Sequence, residues 1–264
     1  MFKRIVTAIL GIPLLILVIL LGNLPLLVGT IILTSIGLWE LYKAMESQDI
    51  KINIIIEIIF NIGLLILMSS FPKYIIPYLV FLFIFHLVYQ LFTKEPSFKM
   101  ALLSFGGIFY ISFLFGHILL FSNIPYGKYL IWLVFLIAFS TDTFAYFTGI
   151  FLGKNKLCPS ISPKKTIEGA IGGIIGSLFV SLLFGLYILK AYDISMSLVH
   201  FVVLGGITSV ISQLGDLTAS SIKRTYGIKD FGNIFPGHGG VLDRFDSILF
   251  TAPVVYYYIS IFIL

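Results

Sequence analysis

Residues 5–39 read IVTAILGIPLLILVILLGNLPLLVGTIILTSIGLW, thirty-five positions without a charged side chain. A helix that crosses the hydrocarbon core of a bilayer needs roughly 20 apolar residues, so this run is long enough for two crossings. Gly22, Asn23 and Pro25 cluster in its middle, where they favour a turn over a continuous helix. The run therefore predicts two spans, about 5–21 and 25–45. Lys3 and Arg4 ahead of it resemble the start of a secretory signal. The apolar stretch is too long for one and no small-residue cleavage site follows, so it is read as a retained first span.

The same punctuation by lone charges continues along the chain. Charge-free runs at 58–72, 74–93, 100–127, 169–189, 194–215 and 247–264 predict further spans at about 52–71, 74–92, 101–121, 167–190, 197–222 and 244–264, and the apolar stretch around Asp142 adds one at about 128–152. The fold expected is all-α: a polytopic integral membrane helix bundle of about nine transmembrane helices. Composition agrees, since hydrophobic residues make up 59% of the 264 and charged residues 11%, against about 25% charged in a soluble domain. A mean hydropathy of +1.08 leaves too little polar material to cover a soluble globule. With nine spans, 14 of the 17 Lys and Arg fall on the N-terminal side of the membrane and 3 on the other. Basic loops stay in the cytoplasm, so the N-terminus is expected there. The net charge of +5 thus reflects topology and gives no reason to expect a nucleic-acid partner.

Chemistry concentrates in the second half. Residues 1–127 are expected to be a transmembrane scaffold, and 128–264 a catalytic region with cytoplasmic loops at 153–166 and 223–243. Asp142 and Asp216 fall inside or near the end of spans, where a carboxylate is costly unless it faces protein or water and has a partner. Tyr146, Gly149 and Gly153 share a helical face with Asp142, and Ser220 and Lys223 share one with Asp216. Asp243 and Asp246 stand three apart at the start of the last span. They suit either helix capping or a hard divalent cation, which takes oxygen ligands and commonly shares them with substrate phosphates. Gly237, Gly239 and Gly240 would let backbone N–H groups approach an anion, and His238 would donate to a phosphate.

Lys164 and Lys165 precede a helix whose N-terminus already favours anions. Thr166 and Glu168 are only two apart and do not make a capping box. Gly169, Gly172, Gly173 and Gly176 form a small-residue stripe, read as membrane helix packing. Glu40, Glu57, His86 and His117 are read as packing or interfacial anchors. The single cysteine, Cys158, excludes an internal disulfide and a cysteine-built zinc site. No G-x-x-x-x-G-K-S/T, H-E-x-x-H or G-x-S-x-G pattern is present. Aspartates beside Lys and Arg in glycine-rich loops suggest a metal-bound polyphosphate.

These residues carry a family resemblance. S-S-I-K-R-T-Y-G-I-K-D-F-G-N-I-F-P-G-H-G-G-V-L-D-R-F-D, from Ser220 to Asp246, resembles the signature of phosphatidate cytidylyltransferases, the CDP-diacylglycerol synthases. S-T-D-T-F-A-Y-F-T-G at 140–149 and S-P-K-K-T-I-E-G-A-I-G-G at 162–173 resemble that family too, whereas residues 1–130 resemble it only as apolar spans. The resemblance implies transfer of CMP from CTP to phosphatidic acid, giving CDP-diacylglycerol and pyrophosphate for phospholipid biosynthesis. It implies catalytic roles for Asp216, Asp243, Lys223 and Arg224. Substrate binding would fall to Lys164, Lys165, Ser220, Lys229, His238, Gly239, Gly240 and Arg244. Asp216, Asp243, Asp246 and Asp142 would hold Mg²⁺, alone or with a second metal ion. The expected setting is the inner (plasma) membrane with the site at its cytoplasmic face, and a homodimer is left open. Two rivals are a CTP-dependent polyprenol kinase and an ion-coupled transporter. The intact signature argues against the first, and the lack of paired repeats against the second.

Overall fold

The structure, a computed structural model, describes residues 2–192, 196–235 and 239–263, with the side chains of 2–10 and 12 left aside. Helices stand at each of the nine expected positions. They are α1 Phe2–Leu21, α2 Asn23–Met45, α3 Ile54–Ser70, α4 Ile75–Leu91, α5 Phe98–Asn123, α6 Gly127–Leu152, α7 Ile167–Tyr192, α8 Leu198–Thr225 and α9 Leu242–Phe262. Among the described residues, seven helical segments, α4 being counted with the preceding turn as Pro72–Leu91, are long and apolar enough to cross a membrane; α3, with 17 residues, is shorter. The expected turn forms between α1 and α2, where Gly22 and Asn23 both take positive φ (61° and 40°).

The chain packs as two compact units, residues 1–123 with 225–244, and residues 124–224 with 245–264. In the first, Leu38 and Leu41 of α2, Leu64, Leu65 and Met68 of α3, Leu82 of α4 and Ile108, Ile111 and Ile118 of α5 are buried. The helices are also joined by polar contacts, since a buried polar atom without a partner is costly. Tyr42 donates to the Ser104 carbonyl at 2.9 Å, Asn61 donates to Ser35 at 3.0 Å, and the buried Glu57 and His86 pair at 3.1 Å. Inside α5, residues Ile108–Phe113 widen into a π-helical turn.

In the second unit, α6 and α7 lie against each other along the glycine stripe. A Cβ at Gly173 would sit 2.9 Å from the Thr141 carbonyl oxygen and 3.1 Å from the Ala145 Cβ. Gly172 and Gly176 are in contact with Thr148 and Phe144 in the same way. Close backbone approach in a membrane depends on such small residues. Helix α8 joins this pair through Thr141 Oγ1 to Ser209 Oγ (2.8 Å), Ser177 Oγ to the Gly205 carbonyl (2.9 Å) and Gln213 Nε2 to the Ala170 carbonyl (3.2 Å). The loop expected at 153–166 contains a small antiparallel hairpin, β1 Lys156–Cys158 and β2 Ser162–Thr166.

Gly173→Val should lower the thermal unfolding midpoint of the detergent-purified protein, because overpacking a close contact costs roughly 1–3 kcal/mol. Gly106→Val, where nothing lies within 4 Å of the added Cβ, is the control and should leave it in place. Equal midpoints for the two variants would show that the α6–α7 contact has room to relax.

Candidate functional site

Helix α8 presents Asp216, Ser220, Lys223 and Arg224 over its last turns. Ser220 Oγ donates to Asp216 Oδ1 at 3.4 Å, as their four-residue spacing suggests. The close partner of Asp216 comes from elsewhere: Lys165 Nζ of β2 stands 2.5 Å from Asp216 Oδ2, each side chain 26% exposed. Successive strand residues face opposite ways, and the neighbouring Lys164 is exposed. The structure thus separates two lysines that the sequence left equivalent.

Three contacts fix the hairpin that carries Lys165. Thr166 Oγ1 caps α7 by accepting from Gly169 N at 3.1 Å, at the cap-to-third-residue spacing. Glu168 reaches back to accept from Lys154 N (3.1 Å), Asn155 N (3.2 Å) and Asn155 Nδ2 (2.8 Å). A cap is therefore present without the reciprocal box. Arg224 Nε donates to the Ile161 carbonyl at 3.3 Å and ties the end of α8 to the hairpin. This gives Arg224 a structural contact in addition to any role with substrate.

Asp246 on α9 is buried and its Oδ1 accepts from Ser247 N at 2.8 Å. Helix α8 approaches it closely because residue 215 is glycine; a Cβ there would lie 2.9 Å from the Asp246 carbonyl oxygen. Asp216, Asp142 and Lys223 all lie within electrostatic reach of the Asp246 carboxylate. The face expected for Asp142 divides: Asp142 and Tyr146 are exposed, while Gly149 and Gly153 pack against Thr166. Their spacing put them on one stripe, but the hairpin covers only the glycine end of it.

The loop from Thr225 to Arg244 belongs to the other unit. There Asp243 Oδ2 accepts from Phe231 N (2.8 Å) and Gly240 N (2.9 Å), which folds the loop back onto the start of α9. Gly239 takes φ +87°, open to glycine and strained for other residues, with Asp243 against it. Lys229 and Arg244 are exposed. Gly237 and His238 lie outside the described residues. The N–H groups that Asp243 binds belong to the loop before α9 and not to the helix itself, so its carboxylate ties the loop to the helix start.

Sequence reasoning missed Glu40. It is fully buried on α2 and accepts from Val241 N and Leu242 N, at 2.9 Å each. Its signal in the sequence is a carboxylate within the second expected span, a position that suits packing or interfacial anchoring equally well.

As for a metal, the clustered donors are carboxylate oxygens, the kind a hard cation selects. Among the described residues, no three His, Cys, Asp or Glu side chains stand as a complete cage. The donor set fits an ion held by one or two carboxylates and completed by substrate phosphates, which is the usual magnesium arrangement.

A family model described as "Cytidylyltransferase family" matches residues 2–262. The phosphatidate cytidylyltransferase of Bacillus subtilis (strain 168) is 33% identical over 279 residues, covering 99% of this chain and 98% of its own. That of Staphylococcus saprophyticus is 36% identical over 259 residues, and that of Staphylococcus aureus (strain COL) 36% over 261, each covering 96% of both chains. The chain belongs to the cytidylyltransferase family, among its phosphatidate cytidylyltransferases. It is an enzyme and a transferase of phospholipid biosynthesis, embedded in the membrane by its apolar helices.

Lys165→Met and Asp216→Asn, made singly and together, should be non-additive in thermal unfolding by on the order of 1 kcal/mol, as suits a partly exposed pair. Strict additivity would show that Lys165 and Asp216 contribute to the fold independently.

Proposed function

We propose that the chain transfers CMP from CTP to phosphatidate, giving CDP-diacylglycerol and pyrophosphate, with the α8 carboxylate Asp216 at the centre of the reaction. The observation that carries this reading is the ion pair of Lys165 with Asp216, within electrostatic reach of Asp246, in a chain whose relatives are phosphatidate cytidylyltransferases.

An oxygen of the lipid phosphate attacks the α-phosphorus of CTP. A new P–O bond forms there as the bond to the β-phosphate breaks, and the electron pair leaves with pyrophosphate. The attacking phosphate is already anionic near neutral pH, so no strong general base is required. The protein supplies alignment and neutralisation of charge. Lys223, Arg224, Lys229, Arg244 and His238 hold phosphate oxygens and the departing pyrophosphate. Lys164 and Lys165 grip one of the two substrates, and Lys165 exchanges its carboxylate partner for a phosphate when substrate arrives. Ser220 and the Gly239–Gly240 backbone add hydrogen-bond donors.

Asp216 and Asp243 would hold magnesium, with Asp246 and Asp142 as further ligands or as supports for the first two. Bound magnesium supplies neutralisation of the triphosphate and of the leaving group.

Placement follows from the substrates. The acyl chains stay in the bilayer while CTP arrives from the cytosol, so the site belongs at the inner interface, with the N-terminus cytoplasmic. Asp216 lies seven residues, about two helical turns, before Lys223. That depth suits a carboxylate reached by a lipid headgroup from one side and a nucleotide from the other.

The test is CTP labelled at the α-phosphorus, incubated with phosphatidic acid and purified protein in detergent. Label should enter the lipid with release of unlabelled pyrophosphate, cease with chelator and return with Mg²⁺. Asp216→Asn should lose roughly 100-fold or more of the rate. Near-normal turnover of Asp216→Asn would remove that residue from the metal role. With CTP labelled at the γ-phosphorus instead, label entering a lipid would identify a kinase.

A further inference from the structure

We infer that Glu40 is a positioning residue for the reaction: from α2 it clamps the start of α9 and thereby sets where the Asp243 carboxylate stands. The inference rests on the proposed role of Asp243. It concerns a residue some two hundred positions away from it in sequence, in the part of the chain expected to be scaffold.

The first N–H groups of a helix have no partner within the helix and need an acceptor. At α9 that acceptor is not local. Glu40 Oε1 takes Val241 N and Oε2 takes Leu242 N, each at 2.9 Å, so the carboxylate spans the two N–H groups as a fork. Both oxygens are engaged and the side chain is fully buried. Two glycines admit it: a Cβ at Gly232 or at Gly240 would fall on the Glu40 carboxylate. Gly37, one turn earlier on α2, gives room to Leu242, whose Cδ2 would lie 3.1 Å from a Cβ placed there.

The same helix also holds the beginning of the loop. Gln48 Nε2 donates to the Thr225 carbonyl (2.6 Å) and Ser47 Oγ to the Tyr226 carbonyl (3.0 Å). The segment from Thr225 to Leu242 is therefore fastened at both ends to α2 and the turn that follows it. Within it, Asp243 Oδ2 binds Phe231 N and Gly240 N. Glu40 and Asp243 hold adjacent N–H groups, at 241–242 and at 240, so a shift of one carboxylate displaces the other. A burial that served packing alone would need neither a charge nor two glycines cut to its outline.

Glu40→Gln keeps the volume but leaves one acceptor oxygen and turns an amide donor towards the second N–H. In purified protein it should lower kcat for CDP-diacylglycerol synthesis by about tenfold or more, as small displacements of reacting groups do. It should also raise the Mg²⁺ concentration for half-maximal rate and leave the KM for phosphatidate unchanged. Deuterium exchange of amides 239–246 should quicken. Gly232→Ala, which pushes on the same carboxylate from the loop side, should move these readings in the same direction. Glu57→Gln, another buried carboxylate of that unit, should lower the unfolding midpoint while leaving kcat and the Mg²⁺ requirement alone. Wild-type kcat and Mg²⁺ requirement in Glu40→Gln, with Asp243→Asn inactive, would overturn the positioning role and spare the site. An active Asp243→Asn would remove the reading beneath it. Faster exchange in Glu40→Gln without loss of kcat would reduce Glu40 to a helix cap.

Discussion

A carboxylate among apolar helices must find donors, because hydrocarbon offers none and the cost of leaving the charge unmatched is several kcal/mol. That constraint shapes both units of this protein. Asp216 meets the Lys165 ammonium, Glu57 meets His86, Asp243 takes two loop N–H groups and Glu40 takes two more at the start of α9. These carboxylates answer the same demand with different donors. A cation such as lysine can move to a phosphate when substrate arrives. A backbone N–H is fixed to the fold, so a carboxylate bound to it fixes the fold in turn. Asp216 has the exchangeable kind of partner and Glu40 the permanent kind.

The hairpin shows how a short polar segment is made rigid enough to deliver a charge. Two strands of three and five residues cannot hold themselves in place. Here Thr166 binds one end to α7, Glu168 binds residues 154 and 155, and Arg224 binds the tip at Ile161. Lys165 is thereby held at Asp216 by three separate anchors, one of which also satisfies an N–H at the start of α7. The glycines of α6 and α7 contribute beneath it, since Gly149, Gly153 and Gly169 all lie against Thr166.

What the sequence disclosed follows the range of each signal. Span positions were legible because the bilayer imposes a length and forbids charge, and both can be counted. The α1–α2 turn was legible because Gly22 and Asn23 tolerate positive φ. The glycine stripe was rightly read as packing. The hairpin escaped because S-P-K-K-T has neither apolar alternation nor a turn dipeptide, and its strands are defined by neighbours. The division of the Asp142 face was not legible, because helical spacing shows which residues share a side but not where a neighbouring element stops covering it. Of the candidate site, the residue types and the two loops were visible. The pairing of Lys165 rather than Lys164 with Asp216 depended on strand direction, which composition does not carry.

Glu40 marks the limit of local reading. Glu40 and Leu242 are separated by some two hundred residues, and no spacing rule links them. Each is visible in the sequence by itself: a carboxylate within the second expected span, and a helix start with no Ser, Thr, Asp or Asn immediately before it. An unmatched buried acceptor and an uncapped helix are complementary deficits. A chain has every energetic reason to solve one with the other. Pairing such deficits across a sequence is a physical inference that needs no alignment. Here it would have linked the second span to the start of the last.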